Sequence, residues 1–312
     1  MQIAGVTTAF RDSGLSECLD LFVDAGVEGV EISAGGFQGT PHIDTQRLLE
    51  SAGARSEFLD EFSRRGLEPA ALACHGNPLH PDDKIRNEHR SYFNRTIELA
   101  ARLEVGTVVC LSGCPGTDSE AKYPAWFSSA WPQEARRITK WQWENVALPY
   151  WSEAANFASE RNVRVAIEMH PSNLVYNPAT LLKLRETAGP QRGANIDSSH
   201  LFWQGIDPAA AVIKLADAVF HIHIKDTSID EEAMAAFGCL DGATVLEGVE
   251  RTWRFAVPGE GHGENVWLNF VKSLKDAGYS GPLSIEHEAR SVDPVTGLRR
   301  AAEFLRSILQ KV

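Results

Sequence analysis

Four segments of the sequence place carboxylates and histidines where short apolar runs end. They read VAIEMHP at 165–171, NIDSSH at 195–200, VFHIHIKD at 219–226 and LSIEHE at 283–288. Side chains alternate between the two faces of a β-strand, so Glu168 and His170 should point to the same side. A buried carboxylate without a partner is costly in a low dielectric. The pattern therefore predicts that these carboxylates share a positively charged partner.

Eight short apolar runs alternate with longer helix-like segments along the chain. The runs cover residues 2–8, 27–33, 68–75, 106–112, 163–170, 193–197, 219–226 and 281–288. Glycine follows a helix-like segment just before two of these runs, in DAGVEGVEI and DAGYSGPLSIE, as expected between a helix and a strand. Eight strands alternating with about eight helices predict an α/β fold, a (β/α)8 TIM barrel, and favour it over an open doubly wound sheet. We expect one domain over residues 1–312.

The alternation within the predicted strands gathers the polar side chains at one rim of the barrel. In the seventh strand Ile222 and Ile224 should face the surrounding helices, which turns the histidines and the lysine inward. The inward set at the rim comprises Glu168, Asp197, His221, His223, Lys225, Ser284, Glu286 and Glu288. Three carboxylates and one imidazole make a mixed oxygen and nitrogen site that suits Mn²⁺, Mg²⁺ or Co²⁺ and also accommodates Zn²⁺. The sequence thus predicts one divalent metal.

Two predicted connections, after the fourth and seventh strands, are long and contain tryptophan. They cover about 113–142 and 227–263, on the side of the barrel where active sites lie. Their tryptophans either pack the loops internally or form apolar walls over a substrate. Trp131 and Arg254 are candidate substrate-binding residues on this ground, with exposed surface as the alternative for Arg254.

Several motifs resemble those of the xylose-isomerase-like barrels, the sugar phosphate isomerase/epimerase superfamily. The motifs are VAIEMHP, ANIDSSHLFWQG, FHIHIKD, PGEGHGENVW and LSIEHE, in the family's order over nearly the whole chain. The resemblance implies a metal, Mn²⁺ first, at the ends of strands five to eight, held by Glu168, Asp197, His223 and Glu286. It also implies that Glu168 and Glu286 act as acid and base on opposite faces of a sugar, with His200 near the substrate.

Other polar residues form a second group of candidates. His75 ends the third strand, where it either faces the substrate or packs the loop. His170 shares the face of Glu168 and is a candidate base or a support for the metal ligands. Glu31, His221 and Lys225 are candidate substrate-binding residues, and Lys225 alternatively pairs with a neighbouring carboxylate.

We expect a divalent-metal-dependent sugar isomerase or epimerase that works through a metal-bound enediolate. The alternative is a metal-dependent lyase or dehydratase on an oxidised (3-keto) sugar or glycoside, as in the large subunits of C-glycoside deglycosidases or in inosose dehydratases. A more distant alternative is a non-catalytic sugar-binding subunit, although all four ligand positions are filled. An apurinic-site endonuclease would need further histidine ligands and a basic face.

The composition limits the classes of molecule that the protein is expected to bind. The 312 residues carry a net charge of −12 and are 43% hydrophobic, which argues against nucleic acid and anionic membrane as main partners. No run approaches the length of a membrane span, and the first residues do not read as a signal peptide. The five scattered cysteines are expected to be reduced, in a cytoplasmic protein. A small-molecule sugar or glycoside is the expected partner, and a homo-oligomer or a small partner subunit stays open.

Overall fold

The computed structural model describes residues 1–240 and 251–312, and eight parallel strands in it close into a barrel. Around the barrel the order is β1, β10, β7, β6, β5, β4, β3, β2. The barrel strands are β1 Gln2–Val6, β2 Gly29–Gly36, β3 Glu68–His75, β4 Thr107–Leu111, β5 Arg164–Glu168, β6 Arg192–Asp197, β7 Val219–Ile224 and β10 Pro282–Ile285. This closed sheet confirms the predicted (β/α)8 barrel. The strands that carry the predicted metal ligands, β5, β6, β7 and β10, are consecutive neighbours.

Helices surround the barrel. They are α1 Leu15–Asp24, α2 Thr45–Glu50, α3 Ala52–Ser63, α4 Asp83–Arg102, α5 Gln133–Trp141, α6 Leu148–Ser159, α7 Pro178–Ala188, α8 Ser198–Phe202, α9 Pro208–Leu215, α10 Glu231–Phe237, α11 Glu264–Asp276 and α12 Pro294–Leu309. The helices α7, α9 and α12 start alike, because Asn177, Asp207 and Asp293 cap them and proline follows. A capping side chain satisfies a free backbone N–H, and proline at the first position lacks one. Within the described residues, no helix has both the length and the apolar character to cross a bilayer.

Small side chains line much of the barrel interior and leave room for larger polar groups. Ala71, Ala73, Val109 and Ala166 form a separate buried cluster, packed against Phe220. The opposite faces of the strands, including Ile222 and Ile224, belong to the main core. The small side chains on β3 to β5 therefore leave space for the bulky histidines and carboxylates that project from β2, β6 and β7.

The connection after β7 contains a hairpin that the sequence does not reveal. The strand β7 ends at Ile224 rather than at residue 226, and β8 Asp226–Ile229 pairs antiparallel with β9 Trp253–Ala256. Each of these strands has only four residues, and neither presents an uninterrupted buried face, so no long apolar run marks them. Residues 241–250 of this predicted loop lie outside the described part of the chain.

Asp226 anchors this hairpin to the segment PGEGHG. Its Oδ2 accepts from the backbone N–H groups of Gly259 (2.9 Å), Gly261 (3.1 Å) and His262 (3.0 Å). Its Oδ1 accepts from the N–H of Thr227 (2.7 Å) and lies 2.8 Å from Nδ1 of His262. Gly261 is required here, because a Cβ would lie 2.4 Å from the carbonyl oxygen of Thr227. These contacts fully satisfy a buried carboxylate.

Candidate active site

Glu168, Asp197, His223 and Glu286 converge at the carboxyl end of the barrel. Glu168 ends β5, Asp197 ends β6, His223 lies in β7 and Glu286 directly follows β10. One ligand atom from each of Glu168, Asp197 and His223 lies within 4.8 Å of the others. Nδ1 of His223 is 3.4 Å from Oε2 of Glu168 and 3.4 Å from Oε2 of Glu286. All four side chains are buried, so the structure brings the predicted ligand set together.

Two buried atoms in this cluster lack hydrogen bonds. They are Nδ1 of His223 and Oδ2 of Asp197. The other oxygen of Asp197 caps α8 by accepting from the backbone N–H (2.9 Å) and the hydroxyl (2.7 Å) of Ser199. Because buried polar atoms are rarely left unpaired, a coordinated cation is the partner that suits both atoms. Three carboxylates and one imidazole therefore fit a divalent metal.

A second polar layer lies directly beneath and is built on Glu31. Oε1 of Glu31 is 3.0 Å from Nε2 of His223, and Oε2 is 2.7 Å from Nε2 of His221. An ionised carboxylate only accepts, so both Nε2 atoms carry protons. Burial alone would lower the pKa of His223, but the charges of Glu31 and Glu286 raise it well above its ordinary value, so a metal bound at Nδ1 would displace a proton. Burial alone would raise the pKa of Glu31, but the two histidines lower it below its ordinary value. Glu31 thus orients a metal ligand.

The depth of Glu31 and His221 differs from the prediction. Glu31 is the third residue of β2, which continues to Gly36, so its side chain lies well below the rim. His221 precedes His223 by two residues and lies equally deep, and both Glu31 and His221 are fully buried. Neither side chain lines the cavity above the cluster. Their position therefore does not support the predicted role in substrate binding. Both residues lie in the layer that supports the metal ligand His223 from below.

Lys225 supplies a positive charge within the cluster. Its Nζ lies 2.6 Å from Oε2 of Glu286 and 2.8 Å from Oε2 of Glu288. It is also 2.9 Å from Oδ2 of Asp197, although without hydrogen-bond geometry. Burial alone would lower the pKa of Lys225, but the surrounding carboxylates raise it well above its ordinary value. The lysine is therefore charged, and its charge is already matched within the protein.

His75 ends β3, two strands from β5 around the barrel, and holds Glu168 in place. Its Nε2 is 2.9 Å from Oε2 of Glu168, and its Nδ1 is 3.0 Å from Oε1 of Gln38. Burial opposes the charged imidazole, yet the hydrogen bond and charge of Glu168 raise the pKa of His75. Asn195 donates to the same oxygen of Glu168 at 3.3 Å. Burial raises the pKa of Glu168, but the hydrogen bond and charge of His75, followed by the charge of His223, lower it below its ordinary value, so Glu168 is ionised.

His200 and His170 stand side by side at the cavity wall, with ring centroids 4.1 Å apart. Nε2 of His200 lies 3.6 Å from Oε1 of Glu168 and 3.5 Å from Oδ2 of Asp197. Burial, followed by the charges of His170 and Lys225, lowers the pKa of His200 well below its ordinary value, so this ring is neutral.

A cavity of about 160 Å³ opens above the cluster. Its walls are Phe37, Gln38, His75, Leu111, Glu168, His170, His200, Lys225, Glu286 and Glu288. Phe37 and Gln38 were not among the predicted site residues, although the glycine-rich segment GGFQG at the end of the second strand marks a rim position. A larger cleft of about 660 Å³, between the connection after β4 and α7, contains none of the clustered carboxylates or histidines, so its size does not make it the reaction centre.

Two predicted substrate-binding residues do not reach this cavity. Trp131 is 81% exposed, and Arg254 lies exposed in β9. Phe255 of the hairpin, which the sequence did not single out, does not line the cavity but lies against two residues that do. Its ring lies 4.6 Å from Nζ of Lys225, with its centroid 5.7 Å from that of His200.

Comparisons with known proteins agree with this architecture. The chain is 34% identical over 314 residues to the uncharacterized protein YfiH of Bacillus subtilis (strain 168), covering 100% of both chains. It is 26% identical over 174 residues to an inosose dehydratase of Geobacillus kaustophilus (strain HTA426), covering 54% of each.

Solved structures share the fold at low identity. The probable 3-DHS dehydratase AsbF, involved in petrobactin synthesis in Bacillus anthracis, superposes with a TM-score of 0.68 at 16% identity, covering 98% of this chain and 99% of AsbF. The IolI protein with a bound zinc atom gives 0.66 at 19% identity, covering 100% and 99%. The family model described as xylose isomerase-like TIM barrel matches residues 19–308. The chain therefore belongs to the xylose isomerase-like TIM barrel family.

Proposed function

We propose that the chain is a divalent-metal-dependent enzyme that removes a proton from the carbon beside the carbonyl of a keto sugar or keto polyol. The observation that carries this proposal is the buried convergence of three carboxylates with His223, whose Nδ1 has no hydrogen bond. Glu168, Asp197, His223 and Glu286 would hold the metal. A bound divalent cation polarises a carbonyl and makes the neighbouring C–H more acidic. The zinc atom of the IolI structure supports a metal in this fold.

Glu168 is the base that we propose for the proton transfer. Its carboxylate is ionised, lines the cavity, and is held in place by His75 and Asn195. Glu286 is the second carboxylate on the cavity wall, held by Lys225. Return of the proton at the other face or the neighbouring carbon gives epimerisation or isomerisation, which is the reaction we propose first.

Elimination of water is the second candidate, favoured by the position of His200 beside Glu168. A dehydratase needs a donor that protonates the departing hydroxyl group while a separate base removes the C–H proton. His200 faces Glu168 across 3.6 Å and is a donor distinct from that base. Similarity to an inosose dehydratase over about half of the chain supports the same outcome.

We propose a small and neutral substrate, and the cavity supports this proposal. Its volume of about 160 Å³ is below the range of about 300–1,000 Å³ that is usual for drug-sized ligands. Among the described residues that line it, Lys225 is the only lysine or arginine, and three carboxylates surround its charge. A phosphate or carboxylate group would thus find no unmatched cation. We propose a single-ring or open-chain polyol ketone rather than an aryl glycoside.

Elemental analysis followed by deuterium exchange tests the proposal. We expect about one divalent metal per chain in the wild type and its loss in Glu168→Ala and Glu286→Ala, while Trp131→Ala retains it. Keto polyols incubated with metal-loaded enzyme in D₂O should incorporate deuterium next to the carbonyl. Mass spectrometry separates the two reactions, because an isomerase conserves the heavy atoms whereas a dehydratase releases one water. A protein that neither contains metal nor recovers it from Mn²⁺ or Co²⁺ would overturn the proposal.

A further inference from the structure

Trp203 lies behind His200 at the end of α8. Its indole Nε1 donates to Nδ1 of His200 over 3.4 Å, and both side chains are buried. An indole N–H can only donate, so Nδ1 of His200 must carry a lone pair. The proton of the neutral ring then lies on Nε2, the nitrogen that faces Glu168 and Asp197. The three-residue spacing puts Trp203 and His200 on one side of the helical turn.

We propose that Trp203 is a positioning residue that fixes His200 in the tautomer with its proton on Nε2. This inference rests on the proposed function, because it makes His200 a donor toward a substrate oxygen rather than a base. The alternative tautomer would direct the N–H away from the cavity and leave a lone pair facing Glu168. A lone pair beside a carboxylate oxygen is repelled, whereas an N–H is attracted, so the two orientations are not equivalent.

The hairpin after β7 holds Trp203 in this orientation. The Trp203 ring stacks on Trp253 of β9, with centroids 4.8 Å apart and planes 1° from parallel. Phe255, two residues along the same strand, contacts the edge of His200. In β8, the hydroxyl of Thr227 donates to the carbonyl oxygen of Ser199 at 2.9 Å and so fastens the hairpin to α8. The hairpin thus supports the donor histidine through the ring behind it.

Three variants separate this role from simple packing. Trp203→Phe retains an aromatic ring for the stack and removes only the N–H that reaches His200. Trp253→Phe is the matched control, because it removes the other indole of the stack, whose N–H donates to the carbonyl oxygen of Cys239 at 3.2 Å. His200→Gln places an amide near the former Nε2 position and identifies the His200 signals in spectra by their disappearance.

Nitrogen-15 NMR of the side chains gives a readout that does not need a substrate. In the metal-free and Zn²⁺-loaded wild type we expect a protonated Nε2 and an unprotonated Nδ1 for His200, retained in Trp253→Phe. In Trp203→Phe both tautomers should appear. A wild-type His200 protonated on Nδ1, or unchanged His200 nitrogens in Trp203→Phe, would refute the positioning role even if that variant proved unstable or the wild type showed no turnover.

Kinetics then test the consequence. With a substrate found by deuterium exchange, kcat of Trp203→Phe should fall about 3- to 10-fold, the usual worth of one hydrogen bond, with KM and bound metal unchanged. The same substitution should have no further effect in a His200→Gln background. Additive losses in the double variant would contradict coupling through His200. Absence of metal and turnover in the wild type would instead count against the proposed function, independently of the NMR result.

Discussion

Two layers of the barrel interior use carboxylates and imidazoles in opposite ratios. In the lower layer one carboxylate, Glu31, is shared by two imidazoles, and none of these three side chains lines the cavity above. In the upper layer three carboxylates, those of Glu168, Asp197 and Glu286, share the imidazole of His223 below a cavity, and His75 and His200 lie beside Glu168 at the cavity wall. Each layer also contains a buried histidine nitrogen without a hydrogen bond. An unpaired atom therefore does not distinguish a metal centre by itself, whereas several carboxylates that converge below an opening do.

His223 belongs to both layers, and its two ring nitrogens show the different roles of these layers. Its Nε2 donates downward to Glu31, and its Nδ1 faces the carboxylates above. The lower layer sets the orientation and the tautomer of the ring, and the upper layer supplies the charge. Changes in the upper layer should accordingly abolish metal binding, and changes in the lower layer should weaken it.

Glu168→Gln should have the largest effect. It removes a charge from the upper layer without changing the side-chain volume, so we expect metal affinity to fall more than about 100-fold, beyond the usual cost of losing an outer partner. Calorimetric titration with Mn²⁺ and Co²⁺ measures this change. Glu288→Gln is the control, because Glu288 pairs with Lys225 but is half exposed and lies outside the cluster. Equal losses in the two variants would mean that the cluster has no special role.

Glu31→Gln should weaken metal binding by about 10- to 100-fold. The amide has one acceptor oxygen for two imidazole N–H groups, so one of them loses its partner, and unfolding should also become easier by about 1–3 kcal/mol. Titration with metal and thermal unfolding of the metal-free protein measure the two effects separately. Reduced stability with unaltered metal affinity would show that Glu31 supports the barrel but not His223.

Removal of the metal should lower thermal stability by an amount similar to that expected for Glu31→Gln. A cation that binds only the folded chain, present at a hundred times its Kd, stabilises it by about 2.7 kcal/mol. For a chain of this size that corresponds to a rise in Tm of roughly 5 °C. Unfolding with Mn²⁺ and with a chelator measures the difference, which Glu168→Gln should abolish. A shift of the same size in that variant would place the responsible metal elsewhere.

Trp131→Ala should have the smallest effect, below about 0.5 kcal/mol on stability, because this side chain is 81% exposed and contributes nothing to the cavity wall. Turnover should stay within about twofold of the wild type, because a twofold change in rate corresponds to less than about 0.5 kcal/mol in activation free energy. Phe255→Ala provides the contrast on the other long connection, since Phe255 touches Lys225 and His200. Steady-state kinetics on both variants decide which of the two connections covers the substrate.

The sequence was most informative where strand periodicity and chemistry coincide. Alternating apolar and polar residues in FHIHIKD set the inward face, and an ionisable group at the end of each of four runs predicted the meeting of Glu168, Asp197, His223 and Glu286. These strands are neighbours in the barrel, so one rim gathers all four groups. Parallel strands with a regular crossover leave little freedom in that arrangement.

Depth and loop structure were harder to predict. Glu31 and Glu168 look alike in sequence, each following an apolar residue in a strand, but β2 runs five residues beyond Glu31 while β5 ends at Glu168. Strand ends depend on the length of pairing with neighbours, which a local pattern does not encode. The β8–β9 hairpin was missed because hydrogen bonds between distant residues hold it in place. Asp226 of β8 accepts from backbone groups as far along the chain as His262, 36 positions away. Tryptophan content alone likewise did not separate Trp131 from Trp253.

The bond between Glu31 and His221 has a consequence for folding. The two residues are 190 positions apart, and Glu31 and His223 are 192 apart, so these contacts join the second strand to the seventh. Contacts of such long range form only after much of the chain has been ordered, because closing the intervening loop costs entropy. A refolding chain should acquire its proper His223 tautomer only when the barrel closes. The rate of metal uptake during refolding should therefore report the rate at which the barrel closes.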